Sequence, residues 1–111
     1  MNNNKTDSYF MEKALSDIEV IISYTKNKTY EQIMSDGQLV DAIMFRLIQL
    51  IESIKNISAY FKDKHCEIPW GSIMGFRNGI VHEYGKTDYS TVYEIVSRDI
   101  YQLKDLFERN L

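Results

Sequence analysis

At 111 residues, 44% of them hydrophobic, the chain is the size of one ordinary domain and carries enough apolar side chains to bury a core. A charged fraction of 26% and a single proline exclude a disordered or proline-rich linker. The net charge of −3 excludes a broad nucleic-acid binder held by counterion release, so any nucleic-acid contact is expected to be local.

The chain opens with the polar run Met1-Asn2-Asn3-Asn4-Lys5-Thr6-Asp7, which lacks the apolar core of a signal peptide and is expected to be flexible. From residue 8 to 25, Tyr9, Phe10, Leu15, Ile18, Ile21, Ile22 and Tyr24 recur at helical rather than alternating spacing, with Thr6 or Asp7 as N-cap. Asn27-Lys28-Thr29 breaks that helix, and Thr29 with Gln32 three residues on forms a capping box for a short helix over 30–35. Asp36 can cap the longest segment, which runs from Leu39 to Ile57 without proline or internal glycine. It is apolar around much of its girth, so it is expected to be central.

Residues 58–62 suggest an end turn, and Lys62-Asp63-Lys64-His65-Cys66-Glu67 reads as a loop. Cys66 is the only cysteine, which excludes an intrachain disulfide and fits a reducing, cytoplasmic setting. With only His65, Cys66 and His82 as soft ligands, no metal or other cofactor is expected; the His65-Cys66 pair fits a solvated helix end or loop. Pro69 suits the first turn of a helix that extends to about Tyr84, where Gly85-Lys86 provides a stop. Asp88 or Ser90 caps a last helix whose apolar face is Val92, Ile95, Val96, Ile100, Leu103, Leu106 and Phe107. Its Glu94, Arg98 and Gln102 form surface-type pairs. No stretch is long enough to span a membrane. The pattern predicts one all-α domain over 1–111, an antiparallel four-helix bundle with one or two extra short helices.

The stretch Arg77-Asn78-Gly79-Ile80-Val81-His82-Glu83-Tyr84 groups a fixed cation, an amide, an imidazole and a phenol on one predicted helix. At about 100° per residue, Arg77 and Tyr84 are nearly eclipsed, and Asn78 and His82 share an adjoining strip. Arginine is a planar clamp for phosphate, and histidine moves protons near neutral pH, so the set suggests phosphodiester chemistry. The same residues also fit ordinary helix surface: a solvated arginine, a turn-forming asparagine and a half-buried imidazole. Gly71, Gly75 and Gly79 repeat every four residues beside His82. That strip fits close packing of another helix, ligand access to the histidine, or an irregular helix in which only one or two glycines matter.

At Ile68-Pro69-Trp70, Gly75-Phe76-Arg77-Asn78 and His82-Glu83-Tyr84, the chain resembles the HepT-like branch of the HEPN superfamily. Tyr24-Thr25, Tyr30-Glu31-Gln32-Ile33 and the run from Asp88 to Val96 extend the resemblance to nearly full length. It departs from the family at Ile51-Glu52-Ser53, where Gly-Glu-Ala is common, and at Gly71, where a larger polar residue is usual. The resemblance implies a dimer whose motif helices line a shared cleft. It implies a metal-independent endoribonuclease, the toxin of a type VII-like pair whose antitoxin is a minimal nucleotidyltransferase. By position, Arg77 and His82 match the catalytic pair, Asn78 the polar residue beside it, and Tyr84 the tyrosine that the antitoxin adenylylates. Glu52 stands where family members carry an acid that could orient Arg77 or His82, or is a solvated helical carboxylate.

Two other functions fit the chain. One is a non-catalytic helical partner that docks on a nucleotidyltransferase and presents its substrate, which the size and acidic balance allow. The other is a purely structural dimer, which leaves the polar face unexplained.

Overall fold

A computed structural model describes residues 6–80 and 88–110, and every regular element among them is helical. Helix α1 (Asp7–Thr25) is N-capped by Thr6, whose Oγ1 accepts the Tyr9 amide at 3.1 Å. Asp7 has a different partner: its carboxylate accepts the Ser58 amide at 2.8 Å and the Ser58 hydroxyl at 2.7 Å. Asn27, with φ of 61°, turns the chain through the left-handed region that asparagine tolerates. Helix α2 (Tyr30–Met34) has the predicted capping box, with the Gln32 amide donating to Thr29 Oγ1 at 3.1 Å and the Thr29 amide to Gln32 Oε1 at 2.8 Å.

Helix α3 (Gly37–Lys55) is capped by Asp36, which accepts the Leu39 amide. Its buried stripe, Val40, Ile43, Leu47, Leu50 and Ile54, follows the helical period. The central position predicted for it holds, since α3 packs against α1, α2 and α5. Phe45 and Ile48, however, point outward and are 57% and 54% exposed.

The predicted end turn and loop over 58–67 are corrected by a short helix, α4 (Ala59–Lys64), capped by Ser58 through the Phe61 amide. Six residues are too few to show a period, and α4 buries none of its side chains completely, so no apolar stripe announces it. His65 and Cys66 close its C-terminal end. Asn110 donates its amide to the Leu106 carbonyl, leaving its oxygen to face His65 Nδ1 at 3.0 Å, while the Cys66 thiol donates to the Asp63 carbonyl.

Helix α5 (Trp70–Ile80) starts one residue after Pro69, whose carbonyl accepts the Ile73 amide. The Trp70 indole N–H donates to the carbonyls of Lys62 at 3.2 Å and His65 at 3.0 Å, and its ring meets Phe61 and Phe107. One side chain thus fixes the start of α5 against α4 and the C-terminal helix. The predicted extension of this helix to Tyr84 and the Gly85-Lys86 stop lie outside the described residues.

Asp88 caps the last helical run by accepting the Thr91 amide. That run is not uniform: α6 (Tyr89–Glu94) passes through a π turn, Ile95–Asp99, into α7 (Ile100–Arg109). Within the turn the Ile100 amide reaches back five residues to the Ile95 carbonyl.

Met11, Ala14, Ile18 and Ile21 of α1, the α3 stripe, Ile73 and Ile80 of α5, and Val96, Ile100, Leu103 and Phe107 form one core. Full burial of a side chain of this size contributes about 1.5–3 kcal/mol. α1 lies against α3 and α7, α3 against α5, and α5 against α6, so the four long helical runs enclose that core. No helix among the described residues is long and apolar enough to cross a membrane.

Candidate active site

Ile73 and Ile80, seven residues apart, bury one side of α5 at 0% and 2% exposure. The same periodicity leaves Gly71, Ser72, Gly75, Arg77 and Asn78 in solvent. Arg77 makes no hydrogen bond or ion pair with the described residues, and it sits in the last turn of α5, where a cation complements the helix dipole. An exposed guanidinium with all its donors available is the form in which arginine can grip a phosphate. Asn78 is its exposed neighbour.

His82 and Tyr84 lie outside the described residues. The backbone on either side is described, and the Asp88 amide donates to the Ile80 carbonyl at 2.7 Å. The end of α5 and the start of α6 are therefore joined directly by a backbone hydrogen bond. Tyr89 and Tyr30 flank that junction, both partly exposed, and Tyr30 meets Tyr93 edge-on at 5.3 Å.

Of the three readings of the glycine strip, close packing within the protomer does not apply to the two glycines whose surroundings are described. A Cβ built on Gly71 or Gly75 would meet nothing within 4 Å. That backbone is open to solvent or to another molecule. Glu52 is exposed on α3 and borders a shallow groove with Tyr9, Phe10 and Lys13 of α1. No hydrogen bond joins it to Arg77 among the described residues. Among the described residues no group of three or more His, Cys, Asp or Glu side chains could hold a metal ion.

Sequence reasoning did not single out Asp99 and read Gln102 only as a surface-type partner of Arg98; both face α5 across a groove. Both belong to a helix read as continuous, and no i, i+4 pattern reveals a turn widened by one residue.

The profile of the HepT-like ribonuclease family matches residues 14–109, a span that includes α5 and the whole stretch from Arg77 to Tyr84. The chain is 30% identical over 100 residues to "Putative RNase TTE0752" of Caldanaerobacter subterraneus subsp. tengcongensis, covering 90% of this chain and 89% of the relative. It is 31% identical over 100 residues to "Probable ribonuclease HepT" of Thermococcus cleftensis, covering 90% and 91% of the two chains. "Putative RNase MJ1216" of Methanocaldococcus jannaschii is 30% identical, with 90% and 83% covered. No solved structure matches the chain.

Proposed function

The chain belongs to the HepT-like ribonuclease family, and from that premise we propose that it is a metal-independent endoribonuclease, the toxin of a type VII-like toxin–antitoxin pair. The observation that carries this reading is Arg77, exposed at the end of α5 without a partner among the described residues, inside a family match that runs through His82 and Tyr84.

In the proposed reaction the 2′-hydroxyl of a ribose attacks the adjacent phosphorus. The bond to the 5′-oxygen breaks, leaving a 2′,3′-cyclic phosphate and a 5′-hydroxyl. Arg77 offsets the charge that grows on the nonbridging oxygens. His82 takes the 2′-hydroxyl proton or gives one to the leaving oxygen. A single imidazole cannot do both in one step, and a twofold homodimer supplies the second. Asn78 is assigned to positioning the phosphate, and Glu52 to orienting Arg77 or His82. Exposed Phe45 and Ile48 give α3 an apolar surface suited to a second copy.

The partner in this reading is a minimal nucleotidyltransferase. An adenylate on Tyr84 would place negative charge and bulk in the motif, competing with the RNA phosphate for Arg77. The test is cleavage of a total RNA pool by the purified chain in chelator. Activity is expected to fall at least about 100-fold in Arg77→Ala and in His82→Ala, and equal cleavage by His82→Ala would sink the mechanism. Tyr84→Phe should cleave as the wild type does, yet resist silencing by transferase and ATP. If the free chain cleaves nothing but forms a stable complex with the transferase, the non-catalytic partner reading replaces this one.

A further inference from the structure

At the edge of the core stripe of α5, with Ile73 at its floor, a groove of about 350 Å³ separates that helix from the π turn and α7. Ser72 and Phe76 line it from α5; Asp99, Gln102, Leu103 and Leu106 line it from across. Asp99, the last residue of the π turn, begins this wall, and Gln102 and Leu106 continue it along α7, each one residue before a core side chain, Ile100, Leu103 or Phe107. Such turns interrupt the regular hydrogen-bond ladder and recur at functional sites.

The chemistry of the lining narrows the ligand. No Lys, Arg or His lines the groove among the described residues, so it offers no cation to a phosphate. It offers acceptors instead. Asp99 is 30% exposed, and one of its oxygens takes only a long bond, 3.3 Å, from the Nε of Arg98, itself mostly in solvent. Gln102 adds an amide that can donate, Ser72 adds a hydroxyl, and Phe76 with the two leucines supplies an apolar wall.

A flat ring with two adjacent N–H donors and a nearby acceptor fits these groups. Among the RNA bases only guanine has that edge. Its N1–H and N2–H can both donate to one carboxylate, and its O6 can accept from the Gln102 amide. Adenine and cytosine turn a ring-nitrogen lone pair toward the carboxylate, and uracil flanks its one donor with two carbonyls. Unpaired bases stacked on aromatic side chains and bonded along this edge are the usual targets of sequence-specific RNA recognition.

We propose that the groove between α5 and the π turn is a subsite for an unpaired guanine of the RNA. Asp99 and Gln102 read its edge and Phe76 packs on its face. The inference rests on the ribonuclease reading. Phe76 and Arg77 are consecutive, so the groove and the guanidinium occupy neighbouring strips of one helix. A strand could therefore lay a base in one and a phosphate on the other.

Two measurements on the full chain test this separately from the ribonuclease reading. In the first, kcat/KM is compared for oligoribonucleotides that carry guanine or inosine, which lacks the N2 amine. A preference for guanine of about ten-fold to a hundred-fold is expected; Asp99→Asn should reduce it, whereas Gln102→Ala should lower kcat/KM for both substrates, because inosine keeps O6. In the second, the chain is titrated with GMP, IMP and AMP while the methyl resonances of Leu103 and Leu106 are followed. GMP should shift them at the lowest concentration, and Phe76→Leu should weaken that response. Cleavage without base preference, together with no methyl shift, overturns the inference and leaves the ribonuclease reading standing. GMP binding at these methyls in a chain that cleaves nothing supports the subsite and removes the ribonuclease reading. Loss of transferase binding in Asp99→Asn and Gln102→Ala, with GMP inert, makes the groove a protein-docking surface and overturns the inference.

Discussion

At the scale of single residues, the side chain most dependent on one partner is Asp17. It lies on the α1 face that meets α3, only 3% exposed, and its Oδ1 accepts from Arg46 Nη1 at 3.0 Å. Its Oδ2 has no hydrogen-bond partner among the described residues. That hydrogen bond is the main cause that raises the Arg46 guanidinium above its already high range. A buried carboxylate is tolerated only while its charge is compensated, so removing Arg46 should cost far more than removing an ordinary surface arginine. Arg46→Met keeps an apolar stem but strands the carboxylate. Because the Arg46 side chain is one-third exposed, the expected loss is about 2 kcal/mol, below the full cost of breaking a buried pair. The measurement is urea unfolding, where the midpoint should fall with the slope unchanged. Asp17→Asn in the same chain should recover part of the loss, and a shift no larger than that of a surface substitution would refute the argument. None of this is legible in the sequence. Position 17 shows a charged residue between Leu15 and Ile18, with no sign of a partner 29 residues away.

At the scale of elements, what the sequence made legible was decided by short-range chemistry. The caps at Thr29 with Gln32, at Asp36 and at Asp88 were readable because a side-chain oxygen and the amide it serves lie three residues apart. The long apolar stripe of α3 was readable because nineteen residues repeat the period several times. Helix α4 was not, being shorter than two turns, and the π turn was not, because inserting one residue leaves the apolar spacing plausible on both sides. At the site, the sequence placed Arg77 and Asn78 on a helix, as observed, but could not show which neighbours the glycines face. That last point has a measurable consequence. Gly75 is interior to α5 and a Cβ there meets nothing, so Gly75→Ala should raise the stability of the isolated protomer by up to about 1 kcal/mol. If a second copy packs closely on this backbone, the same substitution should weaken the dimer. Thermal unfolding at low concentration and sedimentation across a dilution series separate the two effects. A methyl group that changes neither would rule out close packing at Gly75 and leave access to the motif or an irregular helix as the readings of the strip.

For the whole molecule, the net charge of −3 sets the terms on which RNA can be held. Long-range attraction is not favoured, so binding must come from local contacts, and a protomer whose motif presents a single arginine without a partner among the described residues is expected to hold RNA weakly. Pairing two protomers doubles both the arginine and the histidine without changing the sign of the overall charge. In the proposed dimer, apolar contact would drive the pairing. α3 presents Phe45 and Ile48 three residues apart, each more than half exposed, on the helix that packs directly against α5. Phe45→Ser with Ile48→Ser should leave the helical content and thermal midpoint nearly unchanged, because neither side chain contributes to the core. The doubly substituted chain should sediment as a monomer where the wild type does not, and its RNA cleavage should fall with the lost dimer. Raising the protein concentration should restore part of the cleavage, since mass action repopulates a weakened dimer but cannot repair a damaged catalytic group. A monomeric variant that cleaves at the wild-type rate would show that one protomer suffices, and the requirement for two copies of His82 would be withdrawn.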